Sequence, residues 1–478
     1  MKNFFFILLF VWIAVPVEAE RTETRPNVVF FLVDDLGWKD LGCYGSNFYQ
    51  TPNVDNLADE SVSFDNAYAA CTVCSPTRAS IMTGKYPATV NLTDWITGWK
   101  YPFAKLEIPD WTMHLDTSAT TLADVFKANG YITGHFGKWH LGKDSVYWPK
   151  NQGFDVNIGG CDHGSPQRRP KKGFNGYFSP YGNPRLTAKS KDEYITERLA
   201  EEARTFIKEN KKRPFFLNFW LYNVHTPLQA RKEKIEKYKA LVDSSLLQKN
   251  PAYAAMVEHM DDAVGAVINE LKALDLYENT IIVFTSDNGG LIGRGKRKIT
   301  SNYPLRSGKG DAYEGGVRVP LIIKTPSMQN QRGSISSEPV VSPDLMPTLI
   351  DLAGLNVEGN VKSRFDGVNL SPLLDDVEAD IQREVIFWHY PHYHGEGATP
   401  YSAVRKEGWK LIHFYETDTY ELYNLKKDIG EKENLFDMNK QKASELKNAL
   451  KRMIEKTDAQ LPSANPAYDP SRAGKYHF

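Results

Sequence analysis

From residue 27 onward the chain alternates between short, mostly apolar runs and longer stretches whose apolar positions fall three and four apart. Asn27–Val33 (NVVFFLV), Tyr131–Phe136, Phe215–Tyr222, Thr280–Thr285 and Val317–Ile323 belong to the first kind. Nearly continuous apolar runs of this length predict strands covered on both faces. Thr121–Asn129, Asp192–Lys208 and Ala252–Leu274 belong to the second kind and predict helices. Gly130 stops the first of these, and Pro214 separates the second from the strand that follows it. Strand–helix alternation of this sort predicts an α/β fold with a largely parallel sheet.

The pattern changes near residue 375. Glu384–His389, Tyr401–Arg405, Trp409–His413 and Glu421–Tyr423 read as short strands at turn-like spacing, followed by a charged helix over Lys440–Lys456. This predicts a smaller antiparallel sheet plus one helix. Leu461–Phe478 is polar and proline-rich, with little periodicity. The expected organisation is therefore a leader over 1–19, a catalytic unit over 20–375 and a C-terminal α+β subdomain over 376–478. The leader rests on Lys2, the apolar stretch Phe4–Val15 and the small residues around Ala19. A membrane anchor is the competing reading, but the apolar run is shorter than the ~20 residues a spanning helix needs. Export to the periplasm or the medium, without a membrane anchor, is expected.

Composition alters this picture little. With 478 residues, 41% hydrophobic and 24% charged, the chain can bury a large core. A net charge of -1 gives no global attraction to nucleic acid, so none is expected as a partner, and anion binding must come from local clusters. Two stand out. Pro166–Lys191 carries Arg168, Arg169, Lys171, Lys172, Arg185, Lys189 and Lys191 with no acidic residue, and Gly293–Gly310 carries Arg294, Lys296, Arg297, Lys298 and Arg306. Either can grip a polyanion or be a solvated loop. The stretch Trp388–His394, with His389, His392 and His394, can line a sugar pocket, take up stray metal or be plain surface.

The chemistry-bearing residues follow the predicted strands. Asp34-Asp35 comes directly after the first strand and Asp287-Asn288 directly after Thr280–Thr285. Ligands of open parallel sheets bind at the carboxyl ends of strands, so the two pairs can converge. Three carboxylates and an amide oxygen form a hard donor set suited to Ca²⁺ or Mg²⁺. Alone, each pair is more often a turn or a helix cap than a metal site. Lys138 and His140 lie in Gly-Lys-Trp-His-Leu-Gly, His225 in Asn-Val-His-Thr-Pro, and Lys309 in the run 308–320. Cys74 opens Cys-Ser-Pro-Thr-Arg-Ala-Ser-Ile-Met-Thr-Gly, residues 74–84, one of four cysteines with Cys43, Cys71 and Cys161. Pro76 and Gly84 bracket a helix in the usual sense, placing Cys74 at its N-terminus, a setting that favours thiolate character.

The segment 74–84 resembles the signature of the type I, formylglycine-dependent sulfatases of the arylsulfatase and N-acetylgalactosamine-sulfatase kind. Cys74, Pro76, Arg78, Thr83 and Gly84 stand at the motif's fixed positions, with Thr77 where serine is usual. The run 130–142 resembles the second signature of that family, and the contexts of Asp34, His225, Asp287 and Lys309 follow in family order. The resemblance implies an alkaline-phosphatase-like fold: a large mixed sheet flanked by helices, with a smaller C-terminal antiparallel sheet plus helix. It implies that a maturation enzyme converts Cys74 to formylglycine, whose hydrated aldehyde attacks sulfur and later releases sulfate by collapse of the hemiacetal. It further implies a divalent cation, Ca²⁺ or alternatively Mg²⁺, held by Asp34, Asp35, Asp287, Asn288 and the group derived from Cys74. Arg78 would stabilise the ionised diol, Lys138 and Lys309 the sulfuryl oxygens, His140 would be the base and His225 the acid. The basic loops and the Trp388–His394 stretch favour a sulfated carbohydrate over a small aryl ester as substrate, with Arg168, Arg169, Arg294, His389, His392 and His394 as candidate contacts. The rival readings are a phosphatase or phosphodiesterase of the same superfamily, a non-catalytic carbohydrate-binding relative, and a redox pair Cys71/Cys74.

Overall fold

The computed structural model describes residues 25–474 apart from 294, 296, 329–330, 358–364 and 473. The leader over 1–19 and the candidate contact Arg294 lie outside these residues. An eight-stranded sheet organises the fold, built from β1 (Asn27–Val33), β2 (Val62–Phe64), β3 (Ile132–Gly137), β4 (Val156–Ile158), β5 (Phe215–Trp220), β6 (Thr280–Ser286), β7 (Leu321–Lys324) and β8 (Ile335–Ser336). Their order across the sheet is β8-β2-β7-β6-β1-β5-β3-β4. The five strands from β6 to β4 run parallel. Strand β7 is antiparallel to both of its neighbours, which makes the sheet mixed rather than simply parallel.

The continuous apolar strands follow from this placement. In β1, Val29, Phe31 and Val33 enter one core, and Val28, Phe30 and Leu32 enter the other. Successive side chains point to opposite faces, so a strand covered on both sides must be apolar at every position. Helices α3 (Ile195–Asn210) and α4 (Pro251–Ala273) cover the first face; α1 (Cys74–Thr83) and α2 (Leu122–Ala128) cover the second. The N-terminus of α4 is fixed by Pro251 and by the Asn250 side chain, which accepts from the backbone N–H groups of Ala252 and Tyr253 at 3.1 and 3.2 Å.

The C-terminal sheet is antiparallel in the order β9 (Ile386–Tyr390), β10 (Tyr401–Lys406), β11 (Trp409–Phe414), β12 (Thr419–Asn424), and α5 (Lys440–Lys456) packs on it. This sheet shares one core with the rest of the chain: Tyr68, Val73, Tyr86 and Val317 pack with Trp388, Val404, Leu446 and Leu450. A buried ion cluster crosses the same junction, with Lys410 Nζ 3.1 Å from Glu314 and 3.0 Å from Glu431, all three side chains inaccessible or nearly so.

One expectation requires correction here. The run Val317–Ile323 is not one strand: Glu314–Val317 forms a helical turn and the strand begins at Leu321, after Pro320. Proline has no N–H for the sheet ladder, so the ladder starts beyond it. In the polar segment after Leu461, the short strand Ser463–Ala464 pairs with Leu106–Glu107.

Gly137 ends β3 with φ 106, and a Cβ there would lie 1.9 Å from the Trp220 carbonyl oxygen. Gly137→Ala is expected to destabilise the protein by more than about 3 kcal/mol in denaturant unfolding; wild-type stability would contradict this. Lys410→Met leaves the buried Glu431 carboxyl without its cation, while Glu314 keeps Arg318 at 3.5 Å, and is expected to cost about 3–5 kcal/mol by the same measurement.

Candidate active site

Four neighbouring parallel strands end along one edge of the sheet, and each delivers site residues. Asp34 and Asp35 follow β1, Asp287 and Asn288 follow β6, Lys138 and His140 follow β3, and His225 follows β5 shortly downstream. Backbone hydrogen bonds hold these strand exits together: Asp34 N–H to Asn223 O at 2.7 Å, Val224 N–H to Asp34 O at 2.6 Å and Lys138 N–H to Trp220 O at 2.7 Å. Cys74 reaches the same edge as the first residue of α1, a helix buried along its whole length and closed by Gly84 at φ 66. Thr77 fixes the approach to this helix, its hydroxyl accepting from Cys71 N–H at 3.1 Å and donating to Cys71 O at 3.3 Å.

Three buried carboxylates face three buried cations. Lys138 Nζ donates to both Asp34 oxygens at 2.9 and 2.8 Å. Lys309 Nζ lies 2.7 and 2.9 Å from the two Asp35 oxygens. Arg78 donates to Asp287 Oδ2 from Nε at 2.9 Å and to the Lys138 carbonyl at 3.0 Å, with its guanidinium over the Trp220 ring. Burial drives the Asp34 carboxyl well above the usual carboxylate range; Lys138 offsets part of this, and Asp287 and Asp35 add to it. Burial pushes Asp35 the same way, but Lys309, His225 and Lys138 together outweigh it and hold Asp35 below the usual range. Asp287 is likewise held low, with Arg78 and Lys138 outweighing its burial.

Asn288 completes the acidic end. Its Nδ2 donates to Asp35 Oδ1 at 2.9 Å and to the Gly289 carbonyl at 3.0 Å, which fixes the amide orientation. Its Oδ1 is then a buried acceptor with no partner among the described residues. A buried orphan oxygen beside crowded carboxylates fits a hard cation in chemistry and position. The donor atoms of Asp34, Asp35 and His225 also lie within 4.8 Å of one another.

The histidines are set by their hydrogen bonds. His140 Nε2 contacts the Ile96 carbonyl, which can only accept, so Nε2 carries the hydrogen. The free Nδ1 then faces Cys74 Sγ at 3.4 Å and the Ser75 hydroxyl at 3.2 Å. Burial and the charge of Lys138 hold His140 well below its ordinary pKa, so the ring is neutral. His225 Nδ1 donates to the Thr226 carbonyl at 2.7 Å, leaving Nε2 toward Asp35 Oδ2 at 3.7 Å. Burial and Lys309 push His225 down to about 3. Asp35 at φ 63 and His140 at φ 59 both adopt the left-handed region, a strained setting of the kind concentrated at functional sites.

Cys74, His140, His225 and Lys309 open into a cavity of about 570 Å³. Of the candidate sugar contacts, Arg169 and His394 line it. Arg168 lines a smaller neighbouring cavity. His389 and His392 do not reach it, which corrects the sequence expectation. His389 is buried between Ser402 Oγ at 2.7 Å and the Gln460 carbonyl at 3.0 Å, and burial lowers its pKa to about 4. His392 is fully buried, with Nε2 2.8 Å from Thr93 Oγ1 and its ring edge against Trp111. The cavity wall includes Trp95, Trp99, His163 and Gln167, none of which the sequence reading selected. Two tryptophans within five residues of a loop were the available signal. All four cysteines are free thiols, so Cys71 and Cys74 form no disulfide.

Comparison with known proteins identifies the family. Residues 26–355 match the Sulfatase family model, and residues 308–460 match the model for the N-sulphoglucosamine sulphohydrolase C-terminal region. A sulfatase of Formosa agariphila is 29% identical across 96% of this chain and 95% of its own. An ulvan-active sulfatase of the same organism is 29% identical across 93% of this chain and 83% of its own. The crystal structure of Ps i-CgsB superposes with TM-score 0.76 at 32% identity, covering 93% of this chain and 95% of that one. The same protein in complex with k-i-k-neocarrahexaose gives TM-score 0.75 at 31% identity, covering 94% and 96%. Family membership carries with it a formylglycine nucleophile and a divalent cation as the general mechanism. With its strand-end acids, paired lysines and helix-borne cysteine in this arrangement, the chain belongs to the sulfatase family, the enzymes that hydrolyse sulfate esters.

Proposed function

We propose that this protein is exported and hydrolyses sulfate monoesters on a sulfated carbohydrate, using a nucleophile formed from Cys74. The observation that carries the chemistry is the juxtaposition of Cys74 with the unprotonated Nδ1 of His140 at the head of a buried helix, in a cavity also lined by Lys309 and His225. The Cys74 thiol here stands in for the formylglycine side chain. That group supplies an oxygen nucleophile that can let go of sulfate by elimination, which a serine ester cannot do.

The chain's own residues then have definite tasks. Lys309, which lines the cavity, and the fully buried Lys138 are held by Asp35 and Asp34 and present positive charge to the sulfuryl oxygens as the ester bond lengthens. Arg78 is locked by Asp287 and the Lys138 carbonyl and supports negative charge next to residue 74. His140 receives a proton at Nδ1 from the group at residue 74. His225 is neutral with its hydrogen on Nδ1, so it acts as the acid only after Nε2 takes up a proton, which the Asp35 carboxylate 3.7 Å away supports, and it then passes that proton to the departing alcohol oxygen. The balance is that of hydrolysis: the S–O bond to the sugar breaks, water supplies the new oxygen on sulfur, and the sugar leaves as an alcohol. Asp34, Asp35, Asp287 and the orphan Oδ1 of Asn288 would hold a cation, with Ca²⁺ suited to an all-oxygen set. It would supply Lewis-acid polarisation of the sulfuryl group.

Carbohydrate as the alcohol is supported by the cavity and by the relatives. Trp95 and Trp99, with ring centroids 5.9 Å apart, offer apolar ring faces at the wall, where sugar C–H surfaces stack. Two relatives point the same way: one is active on ulvan, and the other is seen in complex with a neocarrahexaose. Export is supported by the leader sequence, and no helix among the described residues is long and apolar enough to cross a membrane.

Mass spectrometry of the natively matured protein is expected to show the peptide containing residue 74 lighter than its thiol form by about 18 Da. Cys74→Ala is expected to abolish sulfate release while leaving the unfolding transition unchanged. An active protein whose residue 74 is wholly unmodified cysteine would overturn the reading.

A further inference from the structure

The cavity above Cys74 does not end at the sugar-sized space next to it. A second cavity of about 420 Å³ adjoins it, and Ser165, Gln167, Arg169 and Thr226 line both. The second space runs along a hairpin in which Arg168 pairs with Asn175 and Arg169 with Phe174, closed by a turn over Pro170–Lys172. The tip is exposed, but its base is fixed. Gly176 N–H donates to Gln167 O at 2.9 Å, and the buried Tyr177 hydroxyl donates to the carbonyls of Tyr222 and His225 at 2.6 and 2.8 Å. The hairpin is therefore tied to the strand exit that carries His225.

Charge along this path is one-sided. Arg168, Arg169, Lys171 and Lys172 stand together, and the sequence has no acidic residue between Asp162 and Asp192. None of the four is ion-paired with a described residue, in contrast with the buried Lys138, Lys309 and Arg78. The acids lining the first cavity are Asp162, four residues before the hairpin and 3.8 Å from His163 Nε2, and Glu396 from the C-terminal part of the chain. Unpaired cations at a cleft concentrate an anionic ligand there.

From these observations we propose that the hairpin 166–175 forms a second anion subsite, in which Arg169 holds a sulfate or carboxylate on the sugar next to the one whose ester is cleaved. The inference rests on the sulfated-carbohydrate reading above and narrows it to substrates with negative charge on adjacent residues. Arg169 occupies the junction of the two cavities, so an extended chain entering the first passes it. Arg168, Lys171 and Lys172 add long-range attraction but no fixed geometry.

The test compares two oligosaccharides that share one cleavable sulfate and differ only in a second sulfate on the adjoining sugar, with a third carrying a carboxylate there. For each, kcat/KM is measured with wild-type and Arg169→Ala protein, natively matured. Arg169→Ala is expected to lower the ratio of kcat/KM for the doubly sulfated over the singly sulfated compound by about tenfold, mainly through KM. The carboxylate arm tells which anion the subsite prefers. An unchanged ratio in both arms would overturn the proposal. If no compound, including a small aryl sulfate, is hydrolysed, the sulfatase reading itself has failed. Calorimetric binding of the same compounds to Cys74→Ala and Cys74→Ala/Arg169→Ala protein then still decides the subsite. Equal affinities for the doubly charged compound reject it, and a roughly tenfold loss upholds it.

Discussion

Everything at this site depends on neutralising three carboxylates where the sheet gives them no water. Asp34, Asp35 and Asp287 are at most 1% exposed, and each sits directly beyond a strand buried on both faces. Placing an ionised group in such surroundings costs several kcal/mol unless it is paired. Lys138, Lys309 and Arg78 provide the pairing, and their positions follow from it. Lys138 leaves β3 at the glycine whose close approach to Trp220 brings the strands together. Lys309 comes from the loop before the Glu314–Val317 turn, and Arg78 lies one helical turn into α1. The acid–base network fixes the helix that carries Cys74, and through the Lys138 carbonyl it ties that helix to the loop that carries His140. Structure and reactivity thus rest on the same contacts.

The parts of this arrangement legible from sequence were those with a physical signature along the chain. Strands β1, β5 and β6 were plain because burial on both faces requires apolar side chains at every position. The convergence of Asp34-Asp35 with Asp287-Asn288 was readable because parallel strands present their carboxyl ends on one edge. Strands β2, β4 and β8 have two or three residues each, too few to establish a period. Val317–Ile323 misled because its apolar content is right for a strand, while Pro320 and the preceding glycines, which set the break, carry the opposite signal.

The sugar-facing side was much less legible. His389 and His392 alternate with aromatics in a way that fits a pocket wall as well as a buried strand and its exit, and the second is what the fold makes of them. Trp95, Trp99, His163 and Gln167 come from loops, where no periodicity marks which side chains face inward. What places them is the three-dimensional closure of the loops over α1. The bond to be broken is thus written in the strand ends, whereas the molecule that carries it is selected by loops whose arrangement appears only in the folded chain.

The central claim is that the orphan oxygen of Asn288 and the three carboxylates around it are a cation site rather than a purely internal salt-bridge network. The most direct test is a crystal structure of the natively matured protein grown with calcium, with the ion located by its anomalous signal. The account predicts a single peak in contact with Asp34, Asp35, Asp287 and Asn288 Oδ1. An absent peak, with the Asn288 amide turned so that its oxygen gains a protein donor, would contradict it.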